Sequence, residues 1–589
     1  MRHIHHQVDF CVVGGGIAGM FAAIAAARRG AKVALIQDRP VLGGNASSEI
    51  RMWICGAHGL NNRETGLLEE INLENNYRNP GSNFSIWDSV LYQAVRFEPN
   101  IDLMLNCSVN DATMADGRIV SVKGWQTTTE TWHVVTAKLF ADCSGDSILA
   151  PLTNAKFRIG REAREEYNED IEPPVADRKT MGMSCLLQAR ETDSPKSYTP
   201  PKWARKFPDD ASLPNRGHGY TGTNNFWWIE LGGENDSIHD SEELRDQLLA
   251  IAFGVWDHIK NHGDHGAANW ELNWVGFLPG KRESRRYIGD HVLTQNDVRA
   301  EGRFADMIAY GGWSMDDHHP AGFNHPGAPT IFHPAPSPFG IPYRCLYSAN
   351  VPNLFFAGRN ISTTHAAMSS TRVMATCGLL GQAVGTAAAI AVAKGCTPRD
   401  VGQNYITQLQ QALLDDDCFL PWQRRVVAEL STSAALKASV NDPEPLRNGL
   451  DRPSKNDQGA WDDNSWQGPA EAWVEYDFGC VVTVSQARMT FDSDLNRCGK
   501  GACAKQGEKN ILSNFPLNQP PRETPPTLVK AFRLEAKGAD GQWRCVHRED
   551  NNYQRLVRVP LAIQASAVRI VPEKTWGADT CKLFAFELS

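Results

Sequence analysis

A glycine cluster near the start of the chain, Gly14-Gly-Gly-Ile-Ala-Gly19, limits the fold more than any other feature. It fits GxGxxG and lies directly between an apolar run, Val8-Asp-Phe-Cys-Val-Val13, and an alanine-rich stretch at 20–29. A second apolar run, Lys32-Val-Ala-Leu-Ile36, follows. Apolar runs without alternation read as strands buried on both faces, so the segment is expected to be a βαβ unit of a parallel sheet. In that setting Gly14 permits the tight turn, Gly16 lets the backbone approach a pyrophosphate, and Gly19 lets the helix pack on the strand. The helix N-terminus adds a field that favours phosphate charge. This context, more than the pattern itself, points to dinucleotide binding. An acid for the ribose hydroxyls usually ends the second strand. Here Gln37 stands in that place with Asp38 one residue on, and either side chain can serve.

The chain has 589 residues, 42% of them hydrophobic and 22% charged, which gives room for several ordinary globular cores and excludes a small binding module, a disordered chain or a coiled coil. A net charge of −9 offers no footprint for a nucleic-acid backbone. No uncharged apolar run reaches the roughly 18–20 residues of a bilayer span. The nearest, at 377–393, is mainly Ala, Gly and Thr and reads as a buried helix. Neither nucleic acid nor membrane is expected as a partner. The start leaves no room for an export signal before the first strand. The 14 Cys are too sparse for a disulfide scaffold, so a cytoplasmic location is expected.

Alternating stretches at 118–123 and 131–135 predict an antiparallel meander, after which 137–142 returns to the parallel sheet. Residues 157–275 are richer in charge, Trp and Pro and read as an inserted substrate-side region. From 311 to 343 the chain is crowded with Pro, Gly and His and is expected to be a functional loop without regular elements. A last core strand at 353–357 and a helix at 376–393 complete a discontinuous first domain, 1–156 and 276–394. A helical linker is expected at 395–438. From 439 to 589, turn signals such as Asn448-Gly449 and Asp540-Gly541 separate short alternating runs, which predicts an antiparallel β-sandwich.

Four further motifs stand at informative places: Leu42-Gly-Gly-Asn-Ala-Ser47, Asp142-Cys-Ser-Gly-Asp146, Leu278-Pro-Gly-Lys-Arg-Glu-Ser-Arg-Arg286 and Asn353-Leu-Phe-Phe-Ala-Gly-Arg359. With them the chain resembles the FAD-dependent oxidoreductase family over roughly 8–394. The resemblance implies an α/β fold class, a glutathione-reductase-type FAD-binding Rossmann-like fold with an inserted substrate domain. It implies FAD as resident cofactor, held by Gly14, Gly16, Gly19, Gly43, Gly44, Ser47, Ser144, Gly145, Gly358 and Arg359. Val109 matches the strand position whose backbone meets the adenine, and Gln37 or Asp38 the ribose. The helix after Thr376 would aim its amides at the flavin, while Gly381 and Gly385 equally suit close packing. The tail resembles a discoidin-type, galactose-binding-like jelly-roll sandwich. Its loop aromatics Trp461, Trp466 and Trp576 suit either sugar stacking or core cover.

A flavin that takes hydride from a carbon bearing a hydroxyl needs a base for the hydroxyl proton and donors to hold the substrate. His365 is the first candidate base, with Arg372 seven residues on along the same helix face. The other reading of His365 is a helix-start or core histidine. Among Lys281, Arg282, Arg285 and Arg286, Arg282 is taken as the substrate contact. The run Asp316-Asp-His-His319, with His325 and His333, matches no zinc spacing, so it is read as substrate-lining, with His319 as its site residue and no metal expected. His58 is a position for covalent flavin attachment. Cys498, Cys503, Cys545 and Cys581 read as separate thiols rather than a metal site or disulfides. The expected activity is removal of hydride from a carbohydrate or glycoside hydroxyl carbon, with a sugar or glycoside as substrate and an unspecified electron acceptor. A homo-oligomer is left open. The alternatives are glycoside cleavage through transient sugar oxidation and elimination, and a non-carbohydrate flavin dehydrogenase.

Overall fold

The structure, a computed structural model, describes residues 1–219, 225–456, 458–495 and 514–589. It divides into two units. The first comprises Met1–His58, Ser82–Leu409 and the described part of Lys509–Pro521; the second comprises Gly59–Gly81, the described part of Gln410–Glu508, and Arg522–Ser589.

The first unit is built on β1 (Arg2–Val13), α1 (Ile17–Arg28), β2 (Val33–Ile36), β3 (Ile101–Met104), β4 (Cys107–Ala115), β5 (Arg118–Gln126) and β6 (Thr131–Asp142). Their order is β3-β2-β1-β6-β5-β4, parallel from β3 to β6 and antiparallel through the meander. One strand serves two partners: residues 131–136 of β6 pair with β5, and 140–142 pair in parallel with Leu354–Phe356. β1 starts six residues earlier than the apolar run predicts, because its polar half pairs with 131–136 of β6. That half alternates between exposed and half-buried positions, so it lacks the continuous apolar signature.

The helix Met374–Lys394 is long and apolar enough to cross a membrane by length and composition, yet 94% of its apolar window is buried inside the fold. A Cβ at Gly381 or Gly385 would drive into the carbonyls of Ala18 and Ala22. The two helices therefore meet backbone to backbone, and the packing reading of these glycines holds. On the substrate side, the helix Ser241–Asn261 buries Leu248, Val255 and Trp256 against Phe207, Phe226 and Trp228.

The 311–343 region is not an irregular loop. Met315–His318 pairs with Thr330–His333, and Phe339–Pro342 pairs with Met307–Gly311. Four-residue strands carrying Asp, His and Pro give too short and too polar a pattern to register as strands.

The second unit is an antiparallel sandwich. Val474–Phe491 and Leu556–Thr575 run side by side over most of their length, flanked by Val529–Lys537, Trp543–Glu549, Cys581–Leu588 and shorter strands. Its core holds Trp466, Tyr476, Phe532 and Phe586. Two sequence expectations shift. Ala435–Ala438, placed in the helical linker, is a strand of this sheet, and Gly59–Gly81, placed in the first domain, falls in this unit with Leu73 in its core. Of the loop aromatics, Trp466 is core, its indole donating to Val440 O at 2.8 Å. Trp576 is half-buried and donates to Asn552 O. Trp461 alone of the three is exposed. Cys545 and Cys581 are free thiols; Cys498 and Cys503 lie outside the described residues.

Candidate active site

A cleft of about 700 Å³ opens in the first unit. At one end the two glycine clusters lie side by side. Gly16 and Gly43 form a parallel bridge, and the Gly43 amide donates to Gly15 O at 2.9 Å. Gly14 sits at φ +103°, where a Cβ would run into the Cys143 carbonyl. At Gly16 the nearest atom to an added Cβ is 3.9 Å away, so the backbone stays uncovered towards the cleft. Gly14, Gly16, Gln37, Asp38, Gly43, Gly44, Val109, Ser144, Gly145, Gly358 and Arg359 all line this cleft.

Gly19 and Ser47 do not line it. Gly19 faces the Gly14 carbonyl at closest approach, its packing role, and Ser47 is buried in the turn after Gly44. Gln37 has both ends of its amide engaged. Its Oε1 accepts from the Gly15 amide at 2.7 Å and its Nε2 donates to Val41 O at 3.2 Å. It therefore fixes the glycine turn, and Asp38 keeps the more exposed carboxylate, 3.5 Å from Arg39.

Asp142 organises the neighbouring turn, accepting from the Ser144 amide and hydroxyl, the Leu149 amide and the Tyr287 hydroxyl. Asp146 bonds Lys281 at 2.8 Å and Arg359 at 2.9 Å. Burial raises its pKa, but the two cations outweigh that and bring it to about 2. Among the described residues the Nε atoms of Arg359 and Arg372 and the Trp313 indole N–H are buried without a hydrogen-bond partner, and all three residues line the cleft. Buried donors left unmade are costly. Uncovered glycine backbone and the unsatisfied Arg359 beside Gly145 fit an anionic, acceptor-rich dinucleotide.

The other end of the cleft is built from the strand Met315–His318, the Trp227 turn and the segment Gly280–Arg282. His318 is 4% exposed and lines the wall. Its Nδ1 lies 2.6 Å from Glu230 Oε2 and its Nε2 3.4 Å from Asp316 Oδ2. Each carboxylate is shared with a guanidinium, Glu230 with Arg282 at 3.4 Å and Asp316 with Arg372 at 3.3 Å. Burial opposes ionisation of Glu230 and Asp316, but the adjoining cations hold both below the ordinary carboxylate range. Trp227, Trp313 and Phe332 supply aromatic surface.

Arg282 and Arg372 thus stand where the sequence reading put them, in the cleft wall. Lys281 joins them, whereas Arg285 and Arg286 bond inward, to Asp146 O and to Glu162 and Thr363 O. His365 and His319 do not line the cleft. His365 is 1% exposed, its Nδ1 2.9 Å from Glu283 and its Nε2 3.1 Å from Asp317. Burial would lower its pKa, but the two carboxylates override that and raise it well above the ordinary histidine value. A ring held as a buried cation between two acceptors has no lone pair to offer, so the core reading of His365 replaces the catalytic one. His319 stacks on His325 at 3.7 Å instead. His58 stacks on Trp313 at 4.3 Å and is not part of the cleft wall.

A glycine-lined cleft at the carboxyl ends of parallel strands, followed by a polar wall from an inserted region, defines a dinucleotide-binding flavoprotein fold. The chain matches the FAD dependent oxidoreductase family over residues 9–413 and belongs to it, and its cofactor is FAD. Over 64 residues it is 41% identical to glycerol-3-phosphate dehydrogenase of Mycobacterium leprae, a stretch covering 11% of each chain. The same figures hold for glycerol-3-phosphate dehydrogenase 2 of Mycobacterium tuberculosis (strain ATCC 25618 / H37Rv), so the match spans about a tenth of these relatives. Among solved structures, the family 32 carbohydrate-binding module of Streptococcus pneumoniae EndoD is similar at 15% identity and TM-score 0.19, covering 28% of this chain and 99% of the module. A geranylgeranyl bacteriochlorophyll reductase-like protein of Thermoplasma acidophilum is similar at 13% identity and TM-score 0.32, covering 70% and 86%.

Proposed function

We propose that this oxidoreductase removes hydride from a hydroxyl-bearing carbon of a sugar or glycoside, with His318 exchanging the hydroxyl proton. The observation that carries the reading is the seating of His318 in the cleft wall, with Nδ1 held by Glu230 at 2.6 Å. That hydrogen bond fixes the ring, and Nε2, whose approach to Asp316 is the longer one at 3.4 Å, is the atom that receives the proton, while Glu230 steadies the imidazolium that forms. Arg372, with its unsatisfied Nε, and Arg282 supply forked donors for substrate oxygens. Trp227, Trp313 and Phe332 offer flat faces to the C–H side of a pyranose ring. Bound FAD supplies the two-electron acceptor. These side chains bind, orient and deprotonate.

Anaerobic mixing of the flavoprotein with a panel of sugars, glycosides, simple alcohols and 2-hydroxy acids tests the reading. Bleaching of the flavin by sugars or glycosides supports it. Bleaching by the non-carbohydrate members alone removes the substrate class and leaves the oxidoreductase. Release of free sugar from a glycoside without consumption of an acceptor would select transient oxidation with elimination.

A further inference from the structure

Away from the cleft, in the inserted region, three histidines converge on one carboxylate oxygen. His258 Nε2 lies 3.2 Å, His218 Nε2 3.4 Å and His265 Nε2 3.7 Å from Asp210 Oδ1. One ligand atom from each of the four residues lies within 4.8 Å of all the others. We propose that Asp210, His218, His258 and His265 bind a divalent transition-metal ion of the zinc class.

Hydrogen bonding on the far side of the rings decides the matter. His258 Nδ1 donates to Phe207 O at 2.9 Å and His218 Nδ1 to Arg216 O at 2.5 Å. A carbonyl only accepts, so in both rings the Nδ1 carries hydrogen and Nε2 is the atom turned inward. This is the outer-shell arrangement that orients metal-binding imidazoles. His265 Nε2 is buried, its side chain 8% exposed, and has no hydrogen-bond partner among the described residues. Neutral His218 and His258 would aim their Nε2 lone pairs at a carboxylate. Three protonated rings would gather three positive charges around a single negative one, with His258 wholly buried. A divalent cation at the centre satisfies all four groups.

The dimensions agree. Ligands about 2.0–2.1 Å from a tetrahedral zinc ion sit roughly 3.3–3.4 Å from one another, the middle of the observed range from oxygen to nitrogen. Three imidazoles and one carboxylate suit zinc and its first-row neighbours, and exclude magnesium and calcium, which take oxygen ligands. With four protein ligands the site closes as a structural one. It clasps the 207–218 segment to the end of the helix Ser241–Asn261 and the turn after it. The clasp continues towards the cleft. Arg216 donates to Gly322 O, His325 O and Gly327 O at 2.9, 2.7 and 2.8 Å, holding the connection between the strand that carries His318 and its partner Thr330–His333.

The test uses the full-length flavoprotein as isolated, with metal content measured by mass spectrometry after desalting. We expect about one zinc-class ion per chain and a loss of at least tenfold in His265→Asn, which keeps His3, His5 and His6 and so controls for adventitious binding by the N-terminal histidines. Chelation should lower the melting temperature of the wild type by several degrees, and zinc should restore it, whereas His265→Asn should respond to neither. Should His265→Asn not fold, chelation and reloading of the wild type decides alone. Wild type that retains no metal after incubation with zinc, iron(II) or manganese, or a variant that retains as much as wild type, overturns the site. None of these readouts depends on substrate turnover.

Discussion

Asp316 and Asp317 are neighbours in the chain and face opposite ways. Asp316 turns to the cleft, where it meets Arg372 at 3.3 Å and His318 at 3.4 Å; Asp317 turns to the face away from the cleft and holds His365 at 3.1 Å. The strand between Met315 and His318 imposes this, since successive side chains of a strand project from opposite faces. One carboxylate thereby serves the reacting end and the other serves the interior.

The two histidines should accordingly separate on substitution. His318→Gln is expected to keep its flavin and its melting temperature while slowing substrate-driven flavin reduction by about 100-fold or more. His365→Gln is expected to keep most of that reduction rate in the protein that folds. Stopped-flow absorbance distinguishes them, and equal losses in both variants would return His365 to the catalytic set.

Stability should depend on pH through the His365 triad. The folded pKa of His365 is raised, so its contribution is complete below about 6.5, the ordinary value, and is lost as pH rises through the folded value. Glu283 and Asp317 are lowered despite burial, because His365 adjoins both, so their contribution holds above the ordinary carboxylate range and is lost on acidification. The difference in unfolding free energy between wild type and His365→Gln should therefore be largest near pH 5–6.5. It should shrink above that range by up to about 1.4 kcal/mol per pH unit, which denaturant titration at a series of pH values measures.

Gly14→Ala should abolish flavin retention. The new methyl group faces the Cys143 carbonyl at a backbone angle of +103° that side chains rarely adopt. Flavin absorbance per chain after gel filtration reports the loss; a variant as yellow as the wild type contradicts the cradle described here.

In the sandwich, Asp417 and Arg555 form a buried pair at 2.7 Å. Asp417→Asn keeps the shape and tolerates the local φ of +60°, but leaves the buried guanidinium with only its carbonyl acceptors, Phe491 O and Asp451 O, and no bonded carboxylate, at a cost of up to about 3–5 kcal/mol. Chemical denaturation followed through the sandwich tryptophans would show it as a lowered midpoint.

Much of the nucleotide end was legible in the sequence because its constraints are local. A glycine required by a turn, or by the touch of two backbones, marks itself by type and position, as Gly14, Gly381 and Gly385 do. Gly19 and Ser47 show the limit: both belong to the motif, yet one packs a helix and the other closes a turn. The reacting end was half-legible. Arg282 and Arg372 stand out as cations beside flavin motifs, as does the 316–319 run, but composition alone does not say that His318 rather than His319 faces the cleft. Strand alternation through Met315–His318 was the signal available, since it puts His318 on the face of Asp316. Glu230, eleven residues before the next helix and 88 from His318, gives no local sign. The convergence of Asp210, His218, His258 and His265 was equally hidden, because ligands from a loop, a helix and a turn carry no fixed spacing.

Val474–Phe491 and Leu556–Thr575 stay paired along nearly their full length, through irregularities at Asp477/Val482 and Val484/Gln486. They are the middle pair of the seven-stranded sheet, between Cys581–Leu588 and Val529–Lys537, so neither flank can be peeled away while the other survives. Protease nicking of the second unit should find whole sandwich or short fragments, with no trimmed half accumulating between.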